Sequence, residues 1–154
     1  MIGNQQIIDQ LNLRLVEEFT AINQYKNNRS LFAIWEYSQL VEYIDERIAD
    51  ETKHYELVLD RIRFLNGISI VGKLNAVETA GDVLAIMNID HTAELDAIKR
   101  YNETIKLCVA LGDNGTRVML ENILVDEEDH CRDLEAQIIQ LKQIGVQNYL
   151  SAKI

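Results

Sequence analysis

The sequence predicts an all-α protein: four long helices in a bundle, one long crossover between the second and third, and a short fifth helix at the C-terminus. Three observations carry this reading. The 154 residues hold no proline and only seven glycines, which removes the usual punctuation of β-rich chains. Apolar residues recur at steps of three and four along four long stretches, the rhythm of an amphipathic helix. The connections between those stretches run short, long, short, which constrains how the helices can pair.

A first helix is expected over about 5–35, from Ile7, Leu11, Leu15, Ile22 and Tyr25. A second follows through Leu40, Ile44, Ile48, Val58, Ile62 and Leu65, with Ser38 as its N-cap and Gly67 just past its end. The third starts at Asp82, a capping residue, and continues through Leu84, Met87, Ile98, Tyr101 and Ile105 to a stop at Gly112. The fourth runs from about Asn114 through Leu120, Leu124, Leu134, Ile138 and Leu141 to Gly145. One domain over 1–154 is expected, the bundle at about 5–144 and the short helix at about 146–154.

Helices one and two, and three and four, are joined by a few residues and must form antiparallel hairpins. About 15 residues, Asn66 to Gly81, separate the hairpins. At roughly 3.3 Å per extended residue they reach nearly 50 Å, enough to run the length of a 27-residue helix at about 1.5 Å per residue. The crossover can therefore pass from one end of the bundle to the other, an arrangement distinct from simple up-and-down topology.

A formal net charge of −10 has the wrong sign for nucleic acid or an anionic membrane surface, and it favours cations. No apolar run approaches the roughly 18 residues of a membrane span. The first residues carry neither a basic region nor an apolar core of an export signal, so a soluble, cytoplasmic protein is expected. Cys108 and Cys131 then read as free, reduced and packed.

The hairpins repeat each other with an offset of 76 residues, which relates Ile22 to Ile98, Ile44 to Leu120, Ile62 to Ile138 and Tyr25 to Tyr101. Polar residues obey the same offset: Glu18 with Glu94, Glu51 with Glu127, His54 with His130, and Asp50 with Asp126. Glu18 interrupts the apolar stripe between Leu15 and Ile22, and Glu94 the stripe between Met87 and Ile98. Glu51-x-x-His54 and Glu127-x-x-His130 each set a carboxylate and an imidazole one turn apart on one helix face. Four glutamates and two histidines should converge at mid-bundle. Carboxylates buried together repel and are costly to desolvate, so cations are their natural partners. Two divalent ions balance four glutamates, and imidazole beside carboxylate suits iron or manganese.

Around this set, Tyr25 and Tyr101 lie seven residues beyond Glu18 and Glu94 and could bond carboxylates. Asp50 and Asp126 could orient the opposing histidines. His91, with Asn88 three places back and no mate at the offset, reads as a structural or surface histidine. Gly67-Ile-Ser-Ile-Val-Gly72-Lys73-Leu74 approaches a phosphate-binding loop, but it ends in Leu and follows a helix rather than a strand. Three Asn-x-Ser/Thr triplets, at Asn28, Asn102 and Asn114, mean little without an export signal.

With these residues in view, the sequence resembles the bacterioferritins, the cage-forming bacterial branch of the ferritin-like superfamily. The similarity runs over essentially the whole chain, including Ala21-Ile22-Asn23-Gln24-Tyr25, Gly72-Lys73-Leu74-Asn75 and Gly145-Val146-Gln147-Asn148-Tyr149-Leu150. It implies the ferritin-like bundle, a shell of 24 chains, and a di-iron ferroxidase centre of Glu18, Glu51, His54, Glu94, Glu127 and His130. Glu51 and Glu127 would bridge two iron ions; Glu18, His54, Glu94 and His130 would be terminal. Fe2+ would be oxidised by dioxygen or peroxide and stored as a ferric mineral, with a ferredoxin as electron donor for release. A di-iron peroxide reductase without storage is the alternative, and a metal-free structural protein is a further one. The tail, too short to be a stable helix alone, would need a neighbour, and the resemblance places Asn148 and Ser151 near a fourfold channel.

The resemblance departs at haem. Bacterioferritins usually hold haem b between two methionines across a twofold interface, and the matching position here is Thr52. Lys26 and Asp45 stand where apolar walls are expected, and charges there are costly against a porphyrin face. Haem bound by this chain alone is not expected. The partner is either further copies of this chain or, in a mixed shell, a haem-binding bacterioferritin subunit.

Overall fold

The computed structural model describes residues 2–154. Five helices follow in order: α1 (Gln5–Ile34), α2 (Ser38–Phe64), α3 (Val83–Ala110), α4 (Asn114–Ile144) and α5 (Val146–Ser151). No strand occurs among the described residues, and none of their helices is long and apolar enough to cross a membrane. The most extensive packing is α1 on α2 and α3 on α4, the two expected hairpins, with α1 also against α3 and α2 against α4.

Local chemistry sets the boundaries. Asn4 caps α1 by accepting from Gln6 N at 2.9 Å, and Asp82 caps α3 by accepting from Ala85 N at 2.8 Å. Asp113 caps α4 by accepting from Thr116 N at 3.0 Å. The expected cap at Ser38 is corrected: Ser38 is the first helical residue, and Tyr37 precedes it without a capping side chain. The reason is the turn before it. Glu36 adopts φ 61°, and Tyr37 N reaches back to Phe32 O at 3.0 Å, so α1 closes with a left-handed residue and α2 begins at once. Gly112, 76 residues later, makes the same turn at φ 73°, with Asp113 N bonded to Cys108 O at 2.9 Å. At the end of α2 the left-handed position is Asn66 rather than Gly67.

Three side chains of α1 fasten the crossover along the bundle. Asn12 donates to Ile68 O at 3.0 Å and accepts from Ile70 N at 2.7 Å. Thr20 accepts from Asn75 N at 3.1 Å. Gln24 donates to Glu78 O at 2.7 Å and accepts from Glu78 N at 2.8 Å. An extended segment without a sheet partner thereby satisfies its backbone from side chains.

The apolar interior is split in two. One cluster gathers Ile7, Leu11, Leu15, Val58, Ile62 and Leu120; the other gathers Phe32, Ile44, Met87, Leu134, Ile138 and Tyr149. Between them lies a polar layer. The tail packs on its own chain: Tyr149 is buried in the second cluster, its hydroxyl bonds Gln137, and Gln39 N bonds Lys153 O at 3.1 Å.

Candidate metal centre

The polar layer between the two apolar clusters consists of Glu18 on α1, Glu51 and His54 on α2, Glu94 on α3, and Glu127 and His130 on α4, all at most 4% exposed. Helical spacing explains the placement. Each residue continues the inward stripe of its helix, so an apolar residue at that position would simply have joined the two clusters.

Two four-residue groups emerge, Glu18, Glu51, His54 and Glu127, and Glu51, Glu94, Glu127 and His130, each with one ligand-type atom per residue within 4.8 Å of the others. Glu51 and Glu127 belong to both. Glu127 presents Oε1 to His54 Nδ1 and Oε2 to His130 Nδ1, both at 3.2 Å. Glu51 presents Oε2 to His54 Nδ1 at 3.5 Å and Oε1 to His130 Nδ1 at 3.2 Å. Glu18 faces His54 Nδ1 at 3.7 Å, and Glu94 faces His130 Nδ1 at 3.7 Å. The imidazole rings stack, with centroids 5.9 Å apart and planes 25° from parallel.

The surrounding residues hold this set from outside. Tyr25 donates to Glu94 and Tyr101 to Glu18, each across the α1–α3 contact. Asp126 lies 3.1 Å from His54 Nε2 and Asp50 lies 3.5 Å from His130 Nε2, so each histidine is approached by an aspartate of the opposite hairpin. An ionised aspartate can only accept, which puts a proton on His54 Nε2 and turns Nδ1 inward as the ligand-capable nitrogen.

The centre has polar atoms it cannot satisfy internally. Glu18 Oε2, Glu51 Oε1, His54 Nδ1 and His130 Nδ1 are buried and make no hydrogen bond. Burial, reinforced by Glu127 and Glu51, holds the Glu18 carboxyl well above the usual carboxylate range; burial, with Glu51 and Glu94 beside it, does the same to Glu127. Glu94 is pushed up to about 7, first by burial and then by Glu51. Burial opposes charge on His54, but Glu51, Glu18 and Asp126 outweigh it and lift the imidazole to about 9. Without a cation, the acidic layer therefore retains protons that carboxylates ordinarily lose. Orphaned oxygens and nitrogens that converge in two overlapping groups fit a pair of divalent ions.

A cavity of about 710 Å³ lies between α1 and α3 beneath the crossover and reaches Glu18, Glu51, Glu94 and Glu127. Its walls include exposed Asn88 and Asp96, so it joins the surface to the centre. Sequence reasoning missed a buried polar residue on this wall: Asp90, 2% exposed, accepts from Asn28 Nδ2 at 2.9 and 2.8 Å. Burial pushes Asp90 up to about 7. The offset of 76 could have found it. Asn28 maps onto Thr104 and Asp90 onto Arg14, and Arg14 donates to Thr104 Oγ1 at 2.8 Å. The same buried contact thus carries a carboxyl group at one end of the pseudo-dyad and a guanidinium at the other. Arg47, 6% exposed, was also missed; its charge opposes the rise of Glu94 and Glu127.

The other expected positions lie away from the centre. Thr52 is exposed on α2, its hydroxyl bonded to Ile48 O at 2.7 Å. Lys26 is exposed, and Asp45 pairs with Arg29 at 2.5 and 3.0 Å. Asn148 and Ser151 are exposed on α5. His91 is half-buried at Glu135, and Cys108 and Cys131 are free and buried.

Residues 8–144 match the ferritin-like domain family. Over its full length the chain is 34% identical to a bacterioferritin of Streptomyces coelicolor, covering 92% of that protein. Over 97% of its length it is 30% identical to a bacterioferritin of Brucella melitensis, covering 92% of that protein, and 30% identical to one of Mycobacterium leprae, covering 94%. With matches that span both hairpins, the crossover and the acidic layer between the two apolar clusters, this chain belongs to the bacterioferritin family.

Proposed function

We propose that this chain stores iron and is a ferroxidase: two Fe2+ ions are its substrates at the six-residue centre, with Glu51 and Glu127 bridging them and Glu18, His54, Glu94 and His130 as terminal ligands. Membership in the bacterioferritin family supports iron storage. The observation that carries the ferroxidase reading is the set of buried, unbonded oxygens and nitrogens shared between two overlapping four-ligand groups. Two divalent ions supply four positive charges to the four glutamates, which offsets the burial and the mutual repulsion that otherwise keep protons on them.

Each Fe2+ gives up one electron. Dioxygen takes two electrons and two protons to yield hydrogen peroxide, or peroxide takes two electrons and two protons to yield two water molecules. The protein's part is to hold the two substrates side by side, to keep both imidazoles aimed inward through Asp50 and Asp126, and to admit cations along the cavity past Asp90. The ferric product would collect as a mineral in a shell of 24 chains in the cytoplasm, with a ferredoxin supplying electrons for release. We infer that Thr52, which offers no thioether and spends its hydroxyl on its own helix, provides no axial ligand for haem b; a haem-bearing subunit in a mixed shell could supply one.

The test is stopped-flow mixing of the metal-free protein with Fe2+ in air, together with native mass. A fast oxidation phase that saturates at two Fe2+ per chain, in a particle of 24 subunits, is expected. Oxidation no faster than in buffer would sink the ferroxidase reading, and a stable monomer or dimer would sink the shell.

A further inference from the structure

A second group of mixed donors lies outside the six-residue centre. His91 on α3 places Nε2 3.2 Å from Glu135 Oε1 on α4, and the Sγ of Cys131, one turn before Glu135, lies 4.0 Å from the same oxygen. One ligand-type atom from each of the three lies within 4.8 Å of the others. Cys131 is 6% exposed, whereas the Glu135 side chain is 54% exposed, so the group has a buried sulfur floor and an open carboxylate rim. We propose that His91, Cys131 and Glu135 bind one divalent cation of the zinc type, with the fourth position open to water.

The chemistry of the donors selects that class. Atoms about 2.0–2.3 Å from a tetrahedral ion lie roughly 3.5 Å from one another, and the separations of 3.2 and 4.0 Å fall on either side of that value. Sulfur with imidazole excludes magnesium and calcium, which take oxygen donors, and favours zinc and cobalt. The His91–Glu135 contact alone is a partly exposed ion pair of small worth; the sulfur beneath it turns a pair into a three-sided site. On binding, the thiol proton passes to solvent and no electron moves. The site is separate from the acidic layer, since its three donors are not shared with the six residues there.

The metal-free full-length protein is titrated with Co2+ and followed in the near ultraviolet, where a sulfur-to-cobalt charge-transfer band reports thiolate ligation. The six-residue centre has only nitrogen and oxygen donors and contributes no such band. The expected result is a band that saturates at a single thiolate-bound Co2+ per chain, vanishes in Cys131→Ser, persists in Cys108→Ser and is bleached by Zn2+. His91→Ala, a change at a half-buried position that leaves the sulfur in place, should weaken Co2+ binding by more than the roughly 10–100-fold that loss of a supporting outer group costs. Absence of the band in the wild type, its survival in Cys131→Ser, resistance to Zn2+, or unchanged affinity in His91→Ala would each overturn the assignment. Helical circular dichroism of every variant shows that it is folded.

Discussion

The hydroxyl of Tyr25 on α1 donates to the carboxylate of Glu94 on α3. Tyr101 on α3 returns the same bond to Glu18 on α1, so each tyrosine restrains a glutamate of the other hairpin, and the second oxygen of Glu18 stays unbonded. Tyr25→Phe and Tyr101→Phe should therefore each weaken divalent-metal binding by about 10–100-fold while leaving the fold intact. Calorimetric titration with Zn2+ in a Cys131→Ser background, which removes the thiolate of the second proposed site, measures this. Wild-type affinity in both variants would mean that the tyrosines only fill space.

Glu18→Ala and Glu127→Ala should abolish the fast phase of aerobic Fe2+ oxidation. Each removes one of four carboxylates that balance a pair of ions, and Glu127 serves both four-residue groups. Glu127→Ala should also reduce the number of tightly bound metals, because the residue it removes is common to both. Stopped-flow absorbance and equilibrium dialysis separate the two effects; a fast phase preserved in either variant would remove that residue from the centre.

Much of this was legible in the sequence because it depends on spacing. The absence of proline and the 3.6-residue rhythm located four helices to within a residue or two, and the 76-residue offset paired Glu18 with Glu94 and His54 with His130 before any fold was known. Tertiary compensation was less visible. Ser38 looked like a cap because Ser often is one, yet the left-handed turn at Glu36 set the start of α2 a residue earlier. The anchoring of the tail on its own chain was equally hidden, because nothing local showed Tyr149 reaching Gln137. Asp90 and Arg14 escaped notice because the offset joins residues of opposite charge there, and only the fold reveals that both meet a small polar partner on the facing helix.

Metal should stabilise the protein more as pH rises. Glu94 moves from an ordinary 4.5 to about 7 in the fold, and His54 moves from 6.5 to about 9. For a raised value the folded state binds more protons than the unfolded one, so the contribution of Glu94 is full below pH 4.5 and lost as pH climbs to about 7. That of His54 is full below 6.5 and lost on the way to about 9. The metal-free protein thus loses stability over the range in which the ligands become free for metal, and metal binding must expel those protons. Melting temperatures of Cys131→Ser with and without Zn2+, measured from pH 4.5 to 9, should diverge as pH rises, and metal addition to this variant in weak buffer should acidify the solution. Curves that stay parallel across the range would contradict a buried, proton-retaining centre.

Thr52 provides the last test, on haem. If only the thioether were missing, Thr52→Met would yield a six-coordinate haem with two methionine ligands per twofold dimer. The structure adds a second obstacle. Asp45 is engaged by Arg29 through two contacts at 2.5 and 3.0 Å, and Lys26 stands exposed on the same helix as Arg29. A porphyrin face laid over these groups would desolvate charges that now face water. The single variant should therefore fail to bind haem stoichiometrically, and the triple variant, with Lys26 and Asp45 also made apolar, should succeed. Visible absorption after haem addition decides between the two. Wild-type protein made of this chain alone should show no bis-methionine haem spectrum, and a stoichiometric spectrum in the wild type or in Thr52→Met alone would show that charge at Lys26 and Asp45 is no barrier.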